Sequence, residues 1–207
     1  MQFIPIVETD PHDPSRAVPF SVSAIKYGEF LCRVFDLWLA DFRSGKPTTQ
    51  VRHFDSVFYP YVGLPAPECT LMRECGVYVV IEHNGNVYSC DYFVEPKWKL
   101  GNITEQRIIT MLNSKKQMAF GATKAVLPGE CRRCPWLTKC YGGCTKDRIK
   151  DPQDKRKPRF CQSYKMFFAH ADPTMRLLAD QWRKEQHDMQ EHERMGVTYN
   201  AFKDFIQ

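Results

Sequence analysis

The sequence predicts an α+β chain: a strand leading into a long amphipathic helix, a β-hairpin followed by a helix and cysteine-rich loops, and a C-terminal helix. Three observations predict it. Apolar residues change from a short continuous run to helical spacing before Gly45. His83-Asn84-Gly85 separates two short strand-like segments, which is a hairpin signal. Eight of the nine cysteines crowd between Cys69 and Cys161, in segments rich in Pro and Gly.

The elements follow in order. Residues 2–8 form a short apolar run that reads as a buried strand of a parallel sheet. Ser21 or Ser23 can cap a helix in which Tyr27, Leu31, Val34, Phe35, Trp38 and Phe42 recur on one face. Glu29 and Arg33 stand four apart on the other face, and Gly45 and Pro47 end the helix. Residues 48–68 are a Pro-rich connection without a clear period. Residues 77–82 and 86–89 are the hairpin strands. Thr104 opens a helix with Ile108, Met111, Leu112 and Met118, and Gly121 lies just past its end. Residues 128–161 read as loops, with an exposed charged stretch at 151–159. Asp172-Pro173 starts a last helix with Met175, Leu178 and Trp182 inward, and residues 183–194 are solvated. The boundaries expected are 1–47, a linker at 48–68, a cysteine-rich domain at 69–165 and a helical segment at 166–207.

A chain of 207 residues with 43% hydrophobic and 26% charged residues can bury a core without covalent staples. The cysteines therefore need another reason. The apolar start is interrupted by Pro5 and ends at Glu8, too short for a secretory signal. No apolar run approaches the roughly 18 residues of a membrane span. A cytoplasmic chain keeps its thiols reduced, so clustered cysteines there read as metal ligands. The net charge is +5, and ten Lys/Arg against three Asp between Cys131 and Cys161 more than account for it. A nucleic-acid patch is one reading of this cluster. Cations beside an anionic metal centre are the better one, with Arg132, Arg133, Lys139, Lys146 and Arg148 between or beside the thiols.

The spacing is C-x5-C-x14-C, a gap of 40 residues, then C-x2-C-x5-C-x3-C-x16-C. Eight thiolates divide into two sites of four, with Cys32 a spectator and small buried hydrophobe on the helix. Soft thiolates select zinc, copper(I) or iron–sulfur clusters. Zinc knuckles favour paired C-x2-C, and only one occurs here. Spacing alone leaves iron–sulfur and zinc both open.

Cys75-Gly76, the run Asn84-Gly85-Asn86-Val87-Tyr88-Ser89-Cys90-Asp91-Tyr92, Cys131-Arg132-Arg133-Cys134, Cys140-Tyr141-Gly142-Gly143-Cys144 and Phe160-Cys161 resemble the two halves of a SPASM domain. Val80-Ile81-Glu82-His83, Glu95-Pro96-Lys97-Trp98 and Leu100-Gly101-Asn102-Ile103 are similar to the anaerobic sulfatase-maturating enzymes, which are radical-SAM proteins. Gln2-Phe3-Ile4-Pro5 resembles the sixth strand of their partial TIM-type barrel.

That resemblance implies a function. It gives two auxiliary [4Fe–4S] clusters, one on Cys69, Cys75, Cys90 and Cys144 and the other on Cys131, Cys134, Cys140 and Cys161. It makes Asp91 the base that takes a proton from a Cys or Ser of a sulfatase peptide as the side chain becomes Cα-formylglycine. Val7 falls near the adenine of S-adenosylmethionine. Tyr88, Tyr92 and Trp98 either line a peptide groove or belong to the core, and His83 is an exposed turn residue. The C-x3-C-x2-C motif that holds the radical-generating third cluster does not occur in this sequence. The chain therefore reads as a C-terminal part that is inactive alone: a fragment, a truncated gene product, or a chain completed by a separate N-terminal barrel half. A ferredoxin or flavodoxin is the implied electron partner, with neither nucleic acid nor membrane. The alternatives are a non-catalytic iron–sulfur or zinc module, or a fragment of another SPASM peptide-modifying enzyme.

Overall fold

The computed structural model describes residues 1–13, 15–151 and 157–194. Helix α1 (Ala24–Ala40) starts at Ser23, whose side chain accepts the Lys26 amide and satisfies one of the free N–H groups of the first turn. Tyr27, Leu31, Phe35 and Trp38 form its buried face. The helix ends before Phe42, which starts a two-residue strand, β1 (Phe42–Arg43), paired with β2 (Lys46–Pro47). Phe42 still meets Trp38 edge-on at 4.8 Å.

The predicted strand at residues 2–8 is not formed. A strand is held by a neighbour's hydrogen-bond ladder, and among the described residues none pairs with this run. Ile4 and Ile6 are 62% and 63% exposed, whereas Val7 turns inward and is fully buried. Single bonds fix the segment instead, from Val22 N–H to the Ile6 carbonyl and from Val18 N–H to the Glu8 carbonyl, each 3.0 Å. The expected β/α unit is thus an extended segment and a helix.

Residues 48–68 hold more than a connection. They contain α2 (Arg52–Phe58), too short for periodicity to reveal, and a 3-10 turn over Tyr59–Val62 that Pro60 opens. Val51, Phe54 and Val57 are buried. The hairpin forms as β3 (Val80–Ile81) against β4 (Asn86–Tyr88), with Gly85 at φ +79° in the turn. A third strand, β5 (Lys99–Asn102), adds antiparallel to β4; its Lys-Leu-Gly-Asn sequence carries no strand signal.

The helix expected from Thr104 is two helices. Thr104 donates to the Asn102 side chain in a turn, α3 (Ile108–Leu112) follows, and Ser114 caps a separate α4 (Lys115–Ala125). Gly121 lies inside α4 rather than past its end. The region read as loops holds the short helices α5 (Gly129–Arg132) and α6 (Leu137–Cys140), then β6 (Lys150–Asp151) paired with β7 (Lys157–Pro158). Most of the stretch expected to be an exposed loop, residues 152–156, lies outside the described residues.

The last helix, α7 (Cys161–Arg194), begins eleven residues before Asp172 and runs through Pro173. Proline is favoured at a helix start, which is why sequence reading put one there. The preceding turns are instead secured by burial of Phe167, Phe168 and Ala171. Met175 is buried, and Leu178 and Trp182 are partly so.

The main core lies where α1, α2 and α7 meet. Phe35, Phe54 and Phe167 form a triangle with centroids 5.3, 5.7 and 5.5 Å apart. Each buried ring contributes about 1.5–3 kcal/mol. Ser163 Oγ donates to the Ala24 carbonyl at 2.5 Å, and the Arg159 guanidinium donates to the Ser21 and Val22 carbonyls at 3.0 Å. These bonds fix the start of α7 against the start of α1. Val87 on β4, Met111 on α3 and Phe120 on α4 are buried outside the main core. No helix among the described residues is long and apolar enough to cross a membrane.

Candidate metal centres

Cys69, Cys75, Cys90 and Cys144 line one cavity, together with Gly76, Tyr78, Tyr92 and Thr145. The four come from separate places. Cys69 opens a 3-10 turn, Cys75 follows it, Cys90 stands just past β4, and Cys144 follows Gly142-Gly143. Those two glycines are at φ +76° and +66°, a backbone that other residues rarely take, and they turn the chain back toward the hairpin.

One face of α4 holds these loops. Gln117, Gly121 and Lys124 recur at helical spacing and are all buried. Gln117 Nε2 donates to the carbonyls of Gly76, Tyr78 and Ser89 at 3.2, 2.9 and 3.4 Å. Cys75 N–H donates to the Gly121 carbonyl at 3.2 Å. Lys124 Nζ donates to the carbonyls of Cys69, Thr70 and Met72 at 2.6, 2.9 and 2.5 Å. So each loop bearing Cys69, Cys75 or Cys90 is tied to α4. Sequence reading missed Gln117 and Lys124 and put Gly121 past the helix end; a glycine inside a helix is a signal of close backbone approach.

Cys131, Cys134, Cys140 and Cys161 line a second cavity, walled by Trp136, Phe160, Tyr164 and Phe168. Cys144 borders this one too. Cys134 N–H donates to the Cys131 carbonyl at 3.1 Å, the tight turn that a C-x2-C pair makes. Cys161 is the first residue of α7, so the helix that closes the main core also delivers a thiol here. Among the described residues no three His, Cys, Asp or Glu side chains crowd around a single ion position. The thiols stand around cavities instead.

Burial dominates the electrostatics. It pushes the Cys90 and Cys140 thiols up to about 11 and Cys144 to about 12, and raises Cys75 and Cys131. Backbone N–H groups oppose it: Tyr92 at Cys90, Gly142 and Gly143 at Cys140, and Lys146 at Cys144. Buried thiols met by amide donors are a soft donor set that would release protons on binding a metal, and they fit an iron–sulfur centre. Of the five cations expected beside the ligands, Arg148 is the one knitted between the two cavities. It donates to the carbonyls of Lys124, Val126, Tyr141 and Gly142 at 2.7–3.3 Å. Lys146 lies over the Tyr92 ring and Lys139 over that of Tyr61.

The remaining expected residues lie as follows. Asp91 is exposed at the mouth of the first cavity, its Oδ1 3.1 Å from Cys90 Sγ and 3.3 Å from the Tyr78 hydroxyl that donates to it. The same hydroxyl is 3.8 Å from Cys69 Sγ and 3.7 Å from Cys90 Sγ. Tyr78 was not singled out from sequence. Tyr92 is 39% exposed on the cavity wall, Trp98 packs on Phe120 at 5.0 Å, and Tyr88 is half-buried on β4. His83 is exposed. Cys32 is half-buried rather than buried, because it lies at the margin of the α1 stripe.

The SPASM family, an iron–sulfur cluster-binding domain, matches residues 69–135. A serine-type anaerobic sulfatase-maturating enzyme of Bacteroides thetaiotaomicron is 38% identical over 170 residues, 81% of this chain and 40% of that protein. Residues 69–135 thus match a SPASM domain, and most of the chain is similar to the anaerobic sulfatase-maturating enzymes. The cysteine-type enzyme of Clostridium perfringens is 33% identical over 157 residues, 75% of this chain and 42% of that one. Native anSMEcpe with bound AdoMet superposes with a TM-score of 0.70 at 29% identity, over 86% of this chain and 48% of that structure. Native anSMEcpe with bound AdoMet and Kp18Cys peptide gives 0.71 at 30% identity, over 87% and 49%. The chain thus spans less than half the length of these relatives. The SPASM match stops before Cys140, Cys144 and Cys161, which the fold nonetheless brings to the same two cavities.

Proposed function

We propose that this chain is the auxiliary-cluster part of a radical-SAM enzyme that oxidises a Cys or Ser of a sulfatase to Cα-formylglycine. Cys69, Cys75, Cys90 and Cys144 hold one [4Fe–4S] cluster, and Cys131, Cys134, Cys140 and Cys161 hold the other. The observation that carries the reading is eight thiols in two cavities, in a chain whose relatives mature sulfatases.

When bound, the clusters supply one-electron acceptors. Forming the aldehyde from a serine side chain removes a hydrogen atom from Cβ, a proton from the hydroxyl and one further electron. Asp91 takes the proton. Its exposure lets a peptide reach it, and the Tyr78 hydroxyl orients its carboxylate. Tyr92 offers an exposed aromatic wall beside it. A barrel half carrying C-x3-C-x2-C would supply the radical that takes the hydrogen atom, and Val7 would lie at its S-adenosylmethionine end. A ferredoxin or flavodoxin in the cytoplasm would accept the electron.

The test has two stages. Anaerobic reconstitution should give about eight irons and eight sulfides per chain and a broad brown absorption that reduction bleaches. A colourless chain with about two zincs would overturn the cluster reading. The loaded chain, mixed with the barrel half of a relative and a Cys or Ser sulfatase peptide, should then yield the aldehyde by mass spectrometry. Aldehyde formed by this chain alone would overturn the division of labour.

A further inference from the structure

Lys124 is fully buried. Its Nζ reaches three backbone carbonyls, of Cys69, Thr70 and Met72, at 2.5–2.9 Å. The ammonium form offers three N–H donors, one for each of these carbonyls. Burial works to lower its basicity, and deprotonated Cys75, Cys69 and Cys144 would work to raise it. A buried cation without a counter-ion is costly. Those three thiols belong to the first cavity, so an anionic centre held there would be its counter-ion.

We propose that Lys124 is a positioning residue and built-in cation for the first cavity, fixing the Cys69 loop and raising the reduction potential of the cluster bound there. The inference rests on the cluster reading above. Reduction adds one negative charge to the cluster. A fixed cation nearby stabilises the reduced form more than the oxidised form, and removing it lowers the potential. A purely structural peg would hold the loop without this effect. The two roles separate by substitution, because the hydrogen bonds need donors and the potential needs charge.

The test uses this chain, reconstituted anaerobically, in Lys124→Met and Lys124→Gln forms, with reduction followed by electron paramagnetic resonance at controlled potential. Lys124→Gln keeps N–H donors and loses the charge. The reduced-to-oxidised ratio of one cluster at fixed potential should fall about tenfold in both variants, a shift of ~59 mV for one electron. The other cluster should titrate as in the wild type. If Lys124→Met loads only half the iron, the positioning role is supported and Lys124→Gln reports the charge. Lys124→Gln with full iron and wild-type potentials would overturn the proposal. A wild-type chain that takes up no iron would overturn the cluster reading and this inference with it.

Discussion

The Gly121 Cα and the Cys75 carbonyl meet so closely that a Cβ at position 121 would stand 2.5 Å from the carbonyl oxygen. The neighbour is backbone, so it cannot swing aside. The contact sits midway along the α4 face that ties down the loops of Cys69, Cys75 and Cys90.

Gly121→Ala should therefore displace the Cys75 loop. A cost of ~1–3 kcal/mol is expected from overpacking. Iron should fall from about eight to about four per chain, with the second centre retained. Gly129→Ala is the control, because its Cβ would find only the Arg133 side chain, 3.6 Å away. Iron analysis and thermal melting of both variants check this. Full iron in Gly121→Ala would show that the loop tolerates the shift.

The division of thiols between two cavities predicts how single losses behave. Cys69→Ser and Cys134→Ser should each remove about half of the iron, and the double variant should remove nearly all of it. The two single variants should retain different paramagnetic signals after reduction. Identical residual signals would mean that the thiols do not divide in this way. Cys144 borders both cavities, so Cys144→Ser should lose the first signal and alter the second.

How much of this the residues disclosed can be argued position by position. The α1 stripe and the Asn84-Gly85 turn were legible because each is local: one is a period, the other a backbone need. The strand at residues 2–8 failed because strand formation depends on a partner outside the segment. α2 escaped notice because seven residues give too little period. Pro173 misled because a proline that often begins a helix sits here inside one. The eight thiols were visible as a pattern. Their division between cavities came from family resemblance, since thiols up to 75 residues apart in the chain, Cys69 and Cys144, share a wall. Lys124 and Gln117 look like ordinary helix residues. Only the fold shows that their side chains end on the carbonyls of ligand-bearing loops.

Asp91→Asn should leave iron content and spectrum unchanged while turnover in the completed enzyme falls by about 10²–10⁴. Asn keeps the shape and loses the base. Tyr78→Phe removes the hydroxyl 3.3 Å from the Asp91 carboxylate and should give a smaller loss. Peptide turnover measured beside iron content separates these effects from cluster loss. Wild-type turnover in Asp91→Asn would exclude it as the base.

Asp172 anchors α7 to the turn after α2, accepting from the Tyr61 hydroxyl at 2.9 Å and from Arg176 at 2.6 Å. Burial works to raise its carboxyl, but the hydrogen bonds from Arg176 and Tyr61 outweigh it and hold the group below the usual aspartate range. A depressed folded value means stability that is present above the unfolded value, about 3.9, and lost as pH falls through the folded one. Asp172→Asn should thus cost about 1 kcal/mol at neutral pH, since solvent screens the exposed Arg176 side of the pair. The deficit should shrink as pH drops into the acid range, where the wild-type carboxyl is also neutral. Urea unfolding of both proteins across that range measures it. A deficit that stays constant with pH would mean that Asp172 acts through shape, and that its charge does not hold α7 in place.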